Sequence, residues 1–318
     1  MRQVYTLCSA VIVMWSTVIH YTVAVCECGR SRSYLDGSDR RVVNGQESRP
    51  HEYPWMALIV RYDSRRVHQP ICGGSVINNY YILTAGHCVL SHVKVQDLGV
   101  VLGVHDSLLL DYGKARIYTI AKIIIHPLYG EGFVGSFLYI ENDVALFRLH
   151  KEIIFDYYVR PLCLPKQDKD FYHWSAIVTG WGQKARVGPS ARYLKEAIVK
   201  VLSYRECIAS AAGVAYEKVS SQTLCAADVG IDSCKGDSGG PLMVKVPGHF
   251  MIQIGIVSFG VGCAIPGYPG VYSKVSKHVD WIHRMTTNAK YCKKPAYRHE
   301  HRSNVSRRNV LNDCDNVH

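Results

Sequence analysis

The chain has few charged residues and few long apolar runs, and each shortage excludes a class of protein. Charged residues make up 20% of the 318 residues and hydrophobic residues 48%. That balance excludes wholesale disorder, because enough apolar surface is present to form a core. Outside one stretch near the amino terminus, no apolar run approaches the length of a membrane span. At this length the chain is expected to hold two packed units of ordinary domain size.

The one apolar stretch covers residues 7–19, follows Arg2 and precedes the small residue Ala24. This order of charge, apolar segment and small residue is typical of a secretory signal peptide, and the stretch is too short for a membrane span. We therefore predict that residues 1–24 are a signal peptide and that the protein is secreted and extracellular. An uncleaved anchor is the alternative interpretation.

Three short motifs carry the residue types of a nucleophilic site. His87 lies in Thr-Ala-Gly-His-Cys, Asp143 in Asn-Asp-Val-Ala-Leu and Ser238 in Gly-Asp-Ser-Gly-Gly. A serine hydroxyl needs an adjacent base, and that base needs a carboxylate that holds its tautomer. Glycines on both sides of Ser238 allow a sharp bend and leave amide groups that face a developing oxyanion. Alone, each motif is weak, since Gly-Asp-Ser-Gly is equally typical of a turn between strands.

Together, and in the order His, Asp, Ser, the motifs resemble those of the chymotrypsin/trypsin family of serine proteases. The resemblance implies that Ser238 attacks the scissile carbonyl, that His87 carries the proton and that Asp143 orients His87. It also implies an oxyanion hole formed by the backbone N–H groups of Gly236 and Ser238. The chain is therefore expected to be a serine endopeptidase that works through an acyl-enzyme intermediate.

Two other activities fit part of this pattern. Ester cleavage uses the same residues, but peptide hydrolysis is favoured because the matched family performs it. A binding protein that has lost catalysis is the alternative from another functional class, although such relatives usually lack the serine that is present here as Ser238. Within the protease interpretation, digestive, venom, clotting and immune-cascade roles all remain open.

The resemblance also implies a specificity pocket. Asp232, six residues before Ser238, matches the carboxylate that meets a substrate Arg or Lys in trypsin-like relatives. Gly260 and Gly270 match the two positions of the pocket wall where a side chain blocks entry. Ser258 and Gly260 are expected to bind an extended substrate strand through their backbones. These positions predict cleavage after Arg or Lys.

Residues 25–41 are a short, polar segment that ends in the junction Arg-Arg-Val-Val-Asn-Gly. The junction resembles the family's activation site, with Val42 and Asn44 in place of the usual Ile and Gly. The resemblance implies that cleavage after Arg41 frees the amine of Val42, which then pairs with Asp237. A buried ion pair is a usable switch, because a buried charge without its partner is costly. A dibasic processing site without structural consequence is the alternative.

Twelve cysteines fit the secretory route, and one of them, Cys8, leaves with the leader. Sequence alone does not fix their pairing. The one-residue gap between Cys26 and Cys28 is unlike the usual spacing of zinc ligands, so we expect disulfides and no metal ion or other cofactor. Cys314 is expected to be free or intermolecular. The family resemblance suggests the pairs Cys72–Cys88, Cys207–Cys225 and Cys234–Cys263, a bond from Cys163 to Cys28 or Cys26, and a bond from the spare pro-segment cysteine to Cys292.

Short apolar runs separated by turn residues continue from residue 42 to about residue 276, a pattern typical of an all-β barrel or sandwich. One such run extends from Val76 to Leu83. Apolar spacing predicts one clear helix, from Ser276 to about Asn288. An insertion at residues 131–135 is expected to lengthen a loop near the cleft.

The number of barrels comes from the resemblance, not from the periodicity. It implies an all-β, chymotrypsin-like fold of two six-stranded antiparallel barrels and a C-terminal helix. The protease domain is expected at residues 42–288, with one barrel at about 42–160 and the other at about 161–288. The active site is expected at the seam between the barrels.

Residues 289–318 are a basic, polar tail of a chain whose formal net charge is +11. With few apolar residues and no helical or alternating period, the tail is predicted to be a mobile, solvated extension. Attachment to an acidic glycan is the sharper alternative. Asn304, in Asn-Val-Ser, is a candidate glycosylation site. The expected partners are protein or peptide substrates, an activating protease and protein inhibitors; a monomer without nucleic acid is expected.

Overall fold

In the computed structural model, strands dominate the part of the chain that can be described. Its elements are short, and antiparallel pairing joins all the neighbouring strands of each sheet. Within this part, no helix is long and apolar enough to cross a membrane. The structure describes residues 26–36, 45–63, 68–89, 93–108, 114–134, 137–182, 190–210, 220–227, 237–247, 250–260 and 268–295.

The first half of the chain forms a closed antiparallel barrel in the strand order β2-β3-β4-β9-β6-β5. Large apolar side chains such as Ile59, Leu83 and Phe147 fill its interior and are fully buried. The remaining strands, β7 and β8, form a separate two-stranded hairpin. The strands are β1 (Gln46–Glu47), β2 (Met56–Tyr62), β3 (His68–Val76), β4 (Tyr81–Thr84), β5 (Leu98–Leu102), β6 (Arg116–Ile125), β7 (Gly130–Val134), β8 (Phe137–Glu141) and β9 (Ala145–Leu149).

The second half forms another closed six-stranded barrel, because β11 pairs with both β10 and β12. Strand β1 is a seventh strand that pairs with the start of β11, on the same edge that β12 uses near the end of β11. The predicted fold of two six-stranded antiparallel barrels is therefore confirmed. The strands are β10 (Ser175–Gly180), β11 (Lys195–Val201), β12 (Thr223–Ala227), β13 (Pro241–Val246), β14 (Phe250–Phe259) and β15 (Gly270–Lys274), and the helices are α1 (Arg32–Leu35), α2 (Tyr204–Ala209) and α3 (Val279–Met285).

One expectation about local structure is wrong. The apolar run from Val76 to Leu83 contains a turn, because the side-chain oxygen of Asn78 accepts hydrogen bonds from the amides of Tyr80 and Tyr81, and β3 ends before β4 begins. The insertion at residues 131–135 is not a plain loop. It contributes to the hairpin β7–β8, in which five residue pairs are in register.

The helix content also differs from the prediction. The C-terminal helix α3 is shorter than expected and follows a separate 3-10 turn at Val275–Lys277. Helix α2 was not predicted, although its capping box is visible in the sequence: Ser203 caps the amide of Glu206, and the Glu206 side chain accepts from the amide of Ser203. A capping box satisfies two amide groups that a short helix otherwise leaves without partners.

Residues 26–36 pack against the body of the chain through polar contacts as well as disulfides. Ser33 Oγ donates to Glu52 Oε2 at 2.7 Å, and Tyr157 Oη donates to Asp36 Oδ1 at 2.8 Å. Cys234, Cys263 and Cys314 lie outside the described residues. The described disulfides are Cys26–Cys292, Cys28–Cys163, Cys72–Cys88 and Cys207–Cys225.

Candidate active site

Two neighbouring strands bring His87 and Asp143 to the same end of the first barrel. His87 lies in the 3-10 turn that follows β4, and Asp143 lies just before β9, which pairs with β4. The His87 ring donates from Nδ1 to Asp143 Oδ2 at 2.8 Å, and the His87 amide donates to Asp143 Oδ1 at 2.9 Å. These two bonds fix both the position and the tautomer of the imidazole, leaving Nε2 as the acceptor nitrogen.

Asp143 is 3% exposed and accepts a third hydrogen bond, from the hydroxyl of Ser258 on β14 of the second barrel. Burial by itself raises the pKa of Asp143. The bonds and charge interaction with His87, together with the bond from Ser258, outweigh burial and lower the pKa below its usual range. Asp143 is therefore held as a carboxylate by donors from both barrels.

The environment of His87 shifts its pKa in the opposite direction. Burial lowers this pKa, but the bond to Asp143 and the charges of Asp143 and Glu131 outweigh burial and raise it above the usual histidine value. Glu131 belongs to the hairpin β7–β8. A base with a raised pKa binds a transferred proton more strongly, which suits a histidine that accepts a proton during reaction.

The turn that carries Ser238 packs against the same end of the first barrel. Gly73 donates its amide to Ser238 O at 2.7 Å, and Gly239 donates to Val257 O at 2.8 Å. Gly239 has φ +78°, and a Cβ there meets Gly73 O at 2.6 Å and Cys88 Sγ at 3.0 Å. Because Cys88 Sγ lies 4.0 Å from His87 Nε2, the Ser238 turn and the His87 ring are neighbours.

Asp237, next to Ser238, bonds to the second barrel. Its Oδ1 accepts the amide of Gly182 at 2.8 Å. Its carboxylate occupies the space beside Gly180 and Gly182, where a Cβ on Gly182 lies 2.6 Å from Oδ2. Glycine at these two positions makes room for a carboxylate that the mechanism of the triad does not use.

Of the positions predicted to form the pocket, three are described. Ser258 and Gly260 lie at the end of β14, and Gly270 begins β15, opposite Ala226 on β12. These strands are neighbours in the second barrel, so the three positions are at one edge of it. The other predicted site residues, Arg41, Val42, Asp232, Gly236 and Asn304, lie outside the described residues.

One group of potential metal ligands lies beside the site. Atoms of Cys72, His87 and Cys88 are within 4.8 Å of one another. Cys72 and Cys88 are bonded to each other, so neither offers the thiolate that binds a metal ion. The group reflects the disulfide that holds the His87 turn.

Sequence reasoning missed Tyr129 and identified Glu131 only as part of an insertion near the cleft. The ring of Tyr129 packs against Gly86, where a Cβ meets the ring at 2.8 Å, and Tyr129 Oη donates to Glu131 Oε2 at 2.6 Å. No local motif marks either residue, because their role depends on the hairpin that folds over the His87 turn. Burial first, and then the bond to Glu131, raise the pKa of Tyr129 far above its usual value, so the phenol stays a donor.

Comparison with known proteins places the whole site inside one family match. The family model described as Trypsin matches residues 42–282. Phenoloxidase-activating factor 1 of Holotrichia diomphalia is 35% identical over 261 residues, covering 76% of this chain and 69% of the relative. Venom serine protease Bi-VSP of Bombus ignitus is 38% identical over 257 residues, covering 76% and 68%. The proclotting enzyme of Tachypleus tridentatus is 35% identical over 257 residues, covering 76% and 65%.

Proposed function

The chain belongs to the trypsin family of serine proteases and is a trypsin-like serine endopeptidase, and we propose that it cleaves after Arg or Lys with Ser238 as nucleophile, His87 as base and Asp143 as its orienting carboxylate. The observation that carries this proposal is the 2.8 Å bond between His87 Nδ1 and Asp143 Oδ2. It leaves His87 Nε2 as an acceptor beside the turn of Ser238, as proton transfer from a serine hydroxyl requires.

In the proposed reaction, His87 takes the hydroxyl proton as Ser238 Oγ forms a bond to the scissile carbonyl carbon. The imidazolium that forms is stabilised by the carboxylate of Asp143. Collapse of the tetrahedral intermediate breaks the peptide bond, and His87 gives the proton to the leaving amine. Water then attacks the acyl-enzyme by the same route and restores Ser238. The backbone N–H groups of Gly236 and Ser238 are proposed to stabilise the oxyanion, an effect typically worth about 10²–10³ in rate for each donor.

The proposed preference for Arg or Lys depends on Asp232 at the base of the pocket. Support comes from glycine at positions 260 and 270, which have no side chain, at the end of β14 and the start of β15. A carboxylate at the base of a pocket selects a cationic side chain, because an apolar side chain leaves the charge without a partner. An extended substrate is proposed to pair with the backbone of Ser258 and Gly260.

We also propose that the enzyme is made as a zymogen and is activated by cleavage after Arg41. The new amine of Val42 then pairs with Asp237, whose carboxylate already lies beside Gly182. The disulfides Cys26–Cys292 and Cys28–Cys163 are proposed to retain residues 25–41 as a light chain after cleavage. The names of two relatives support this proposal, because a phenoloxidase-activating factor activates another protein and a proclotting enzyme is named as a precursor.

Four disulfides among the described residues support secretion, because such bonds persist in oxidising compartments. We propose that residues 1–24 are removed as a signal peptide and that residues 42–288 are the protease domain. The tail predicted at residues 289–318 is anchored at its start, where Cys292 bonds to Cys26 and the amide of Lys290 donates to Asn79 Oδ1 at 2.7 Å, and we propose that it is solvated beyond residue 295. Substrates are then extracellular proteins or peptides, and protein inhibitors are expected partners. Binding of the tail to an acidic glycan and glycosylation at Asn304 remain proposals of the same kind.

The test is to express the zymogen, cleave it after Arg41 and compare matched fluorogenic peptides that end in Arg, Lys or Phe. Hydrolysis of the Arg and Lys peptides is expected only after cleavage, and Ser238→Ala is expected to abolish it. A preference for Phe contradicts the assignment of Asp232. No hydrolysis of any peptide by folded, cleaved protein favours a binding protein over an enzyme.

A further inference from the structure

The hairpin β7–β8 projects from the first barrel directly beside the catalytic groups. It is inserted between β6 and β9, and its base is closed by a bond from Asn142 Nδ2 to Leu128 O at 2.9 Å. Asn142 precedes Asp143, so the hairpin ends next to the carboxylate that orients His87. The base of the hairpin is therefore fixed beside the catalytic pair.

The strand register shows which hairpin residues share a face. Glu131 is directly opposite Ile140, so these two side chains are on one face. Tyr129 precedes β7, and the hydrogen bond from its hydroxyl to Glu131 places its ring on the same side. The Tyr129 ring packs against Gly86, the neighbour of His87. This face therefore points towards the His87 turn. Glu131 lies on it, one residue pair beyond Gly130 and Glu141, the pair at the base of the hairpin.

Glu131 is held in place by one hydrogen bond, and its carboxylate can accept further hydrogen bonds. Tyr129 Oη donates to its Oε2 at 2.6 Å, and the side chain is exposed. A carboxylate accepts about four hydrogen bonds, and a single donor from Tyr129 leaves capacity for a guanidinium or ammonium group. The charge is close enough to His87 to raise its pKa.

The path of the substrate brings one side chain towards this carboxylate. In an extended peptide, successive side chains point to opposite sides. If the residue before the cleaved bond enters the pocket of the second barrel, the residue preceding it points towards the first barrel, where His87 and the hairpin lie. The side chain of that preceding residue then lies near the carboxylate of Glu131.

We propose that Glu131 is a specificity-determining residue that binds an Arg or Lys directly preceding the residue at the cleaved bond, so that the preferred substrates are peptides with two consecutive basic residues. The inference rests on the proposed function, because it requires cleavage after a basic residue in the Asp232 pocket. Arg40-Arg41, at the chain's own proposed activation junction, is a sequence of this kind. An active copy is therefore expected to cleave the junction of a second copy.

The test compares kcat/KM for peptides ending in Arg-Arg, Ala-Arg and Glu-Arg, using full-length protein cleaved after Arg41 by immobilised trypsin. Assays are run well above the pH at which His87 titrates, so that a change in its pKa does not affect the comparison. Wild type is expected to prefer Arg-Arg over Ala-Arg, and Glu131→Gln to reduce that ratio about fivefold, the upper range for an exposed ion pair. Glu131→Lys is expected to favour Glu-Arg instead.

Two further variants separate binding of the substrate from a structural role of the hairpin. Glu141→Gln removes a carboxylate paired with Gly130, on the other face of the hairpin, and is expected to keep the wild-type ratio. Tyr129→Phe removes the hydroxyl that holds Glu131 and is expected to give an intermediate ratio. If Glu131→Gln lowers kcat/KM equally for the Arg-Arg and Ala-Arg peptides, or leaves both values unchanged, the ratio stays that of wild type and the proposal is overturned. Hydrolysis of no Arg peptide by wild type instead contradicts the proposed function itself.

Discussion

The hydroxyl of Ser258, on the second barrel, donates to the same carboxylate oxygen of Asp143 that accepts the Nδ1 proton of His87. Ser258 of the second barrel therefore holds Asp143, the acid of the His87–Asp143 pair, which belongs to the first barrel. The contact crosses a buried part of the seam, since Asp143 is 3% and Ser258 6% exposed.

Replacing Ser258 with alanine is expected to lower kcat by about tenfold, because a hydrogen bond to a charged group contributes roughly 1.5–3 kcal/mol and only part of that is specific to the transition state. The variant keeps the backbone that is proposed to bind substrate, so KM is expected to change little. Steady-state kinetics on an Arg peptide measure both. A rise in KM with unchanged kcat contradicts a role through Asp143.

The rate is expected to rise with pH through a midpoint above the usual pKa of histidine, about 6.5. His87 acts as a base only when neutral, and Asp143 and Glu131 raise its pKa although burial opposes them. Glu131→Gln is expected to move this midpoint to lower pH. The pH dependence of kcat/KM on an Ala-Arg peptide measures the shift, and an unmoved midpoint contradicts the electrostatic contribution of Glu131.

His278 predicts how stability depends on pH. Burial, followed by repulsion from His126 at a ring distance of 5.3 Å, lowers its pKa to about 4. The unfolded chain binds a proton below about pH 6.5, whereas the folded chain binds it only below about 4. The free energy of unfolding is therefore expected to fall as pH drops through this window, by roughly 3 kcal/mol at most.

Urea unfolding at several pH values from 4 to 7.5 tests this window. His278→Gln is expected to flatten the dependence, whereas His173→Gln is the matched control, since the side chain of His173 is 56% exposed. Equal slopes in wild type and His278→Gln contradict the assignment. Nearby Asp143 favours the protonated form of His278 but does not reverse the shift.

Gly239→Ala is expected to reduce kcat/KM at least about 100-fold. Its Cβ meets Gly73 O and Cys88 Sγ, so the turn must move, and a displacement of about 1 Å at a reacting group costs a factor of this size. Gly103→Ala is the matched control, because Gly103 also has positive φ and its Cβ meets Lys114 O at 2.8 Å, outside the site. Both variants are expected to lose stability. Only Gly239→Ala is expected to lose activity when folded protein is assayed.

Removing one of the two disulfides of the pro-segment is expected to leave the pro-segment attached to the protease domain after cleavage at Arg41. Cys26–Cys292 and Cys28–Cys163 are independent links to the body. Only the variant in which Cys26, Cys28, Cys163 and Cys292 are all serine is expected to release it. Electrophoresis of cleaved protein without reductant measures release. Loss of the segment from either two-serine variant shows that its remaining disulfide does not form.

The His87, Asp143 and Ser238 motifs can be identified from the sequence, because each is a local pattern that resembles the family's, whereas the two barrels are expected only from that resemblance. The choice between Cys26 and Cys28 as partner of Cys163 depends on how residues 26–36 cross the body, and no spacing rule encodes that path. The contact between Ser258 and Asp143 joins residues 115 apart. The contact forms because the two barrels pack against each other, and no local sequence pattern predicts it.

The hairpin β7–β8 shows a different limit of structure prediction from the sequence. The insertion at residues 131–135 is expected to lengthen a loop, yet residues 131–134 pair with the strand that follows and belong to β7. Tertiary pairing outweighs the weak preference of single residues for or against a strand. In α2, by contrast, the local capping signal from Ser203 to Glu206 is sufficient to predict a helix start.

The narrow base of the hairpin separates the geometry of the catalytic pair from the hairpin sequence. Gly130 and Glu141 are directly paired where the hairpin leaves the barrel, and the bond from Asn142 to Leu128 closes the neck just before Asp143. Residues exchanged beyond that neck are therefore expected to alter which peptides are admitted while the His87–Asp143 bond is kept. Because the charge of Glu131 also raises the pKa of His87, a new substrate preference grafted onto the hairpin is expected to shift the pH at which the enzyme works as well.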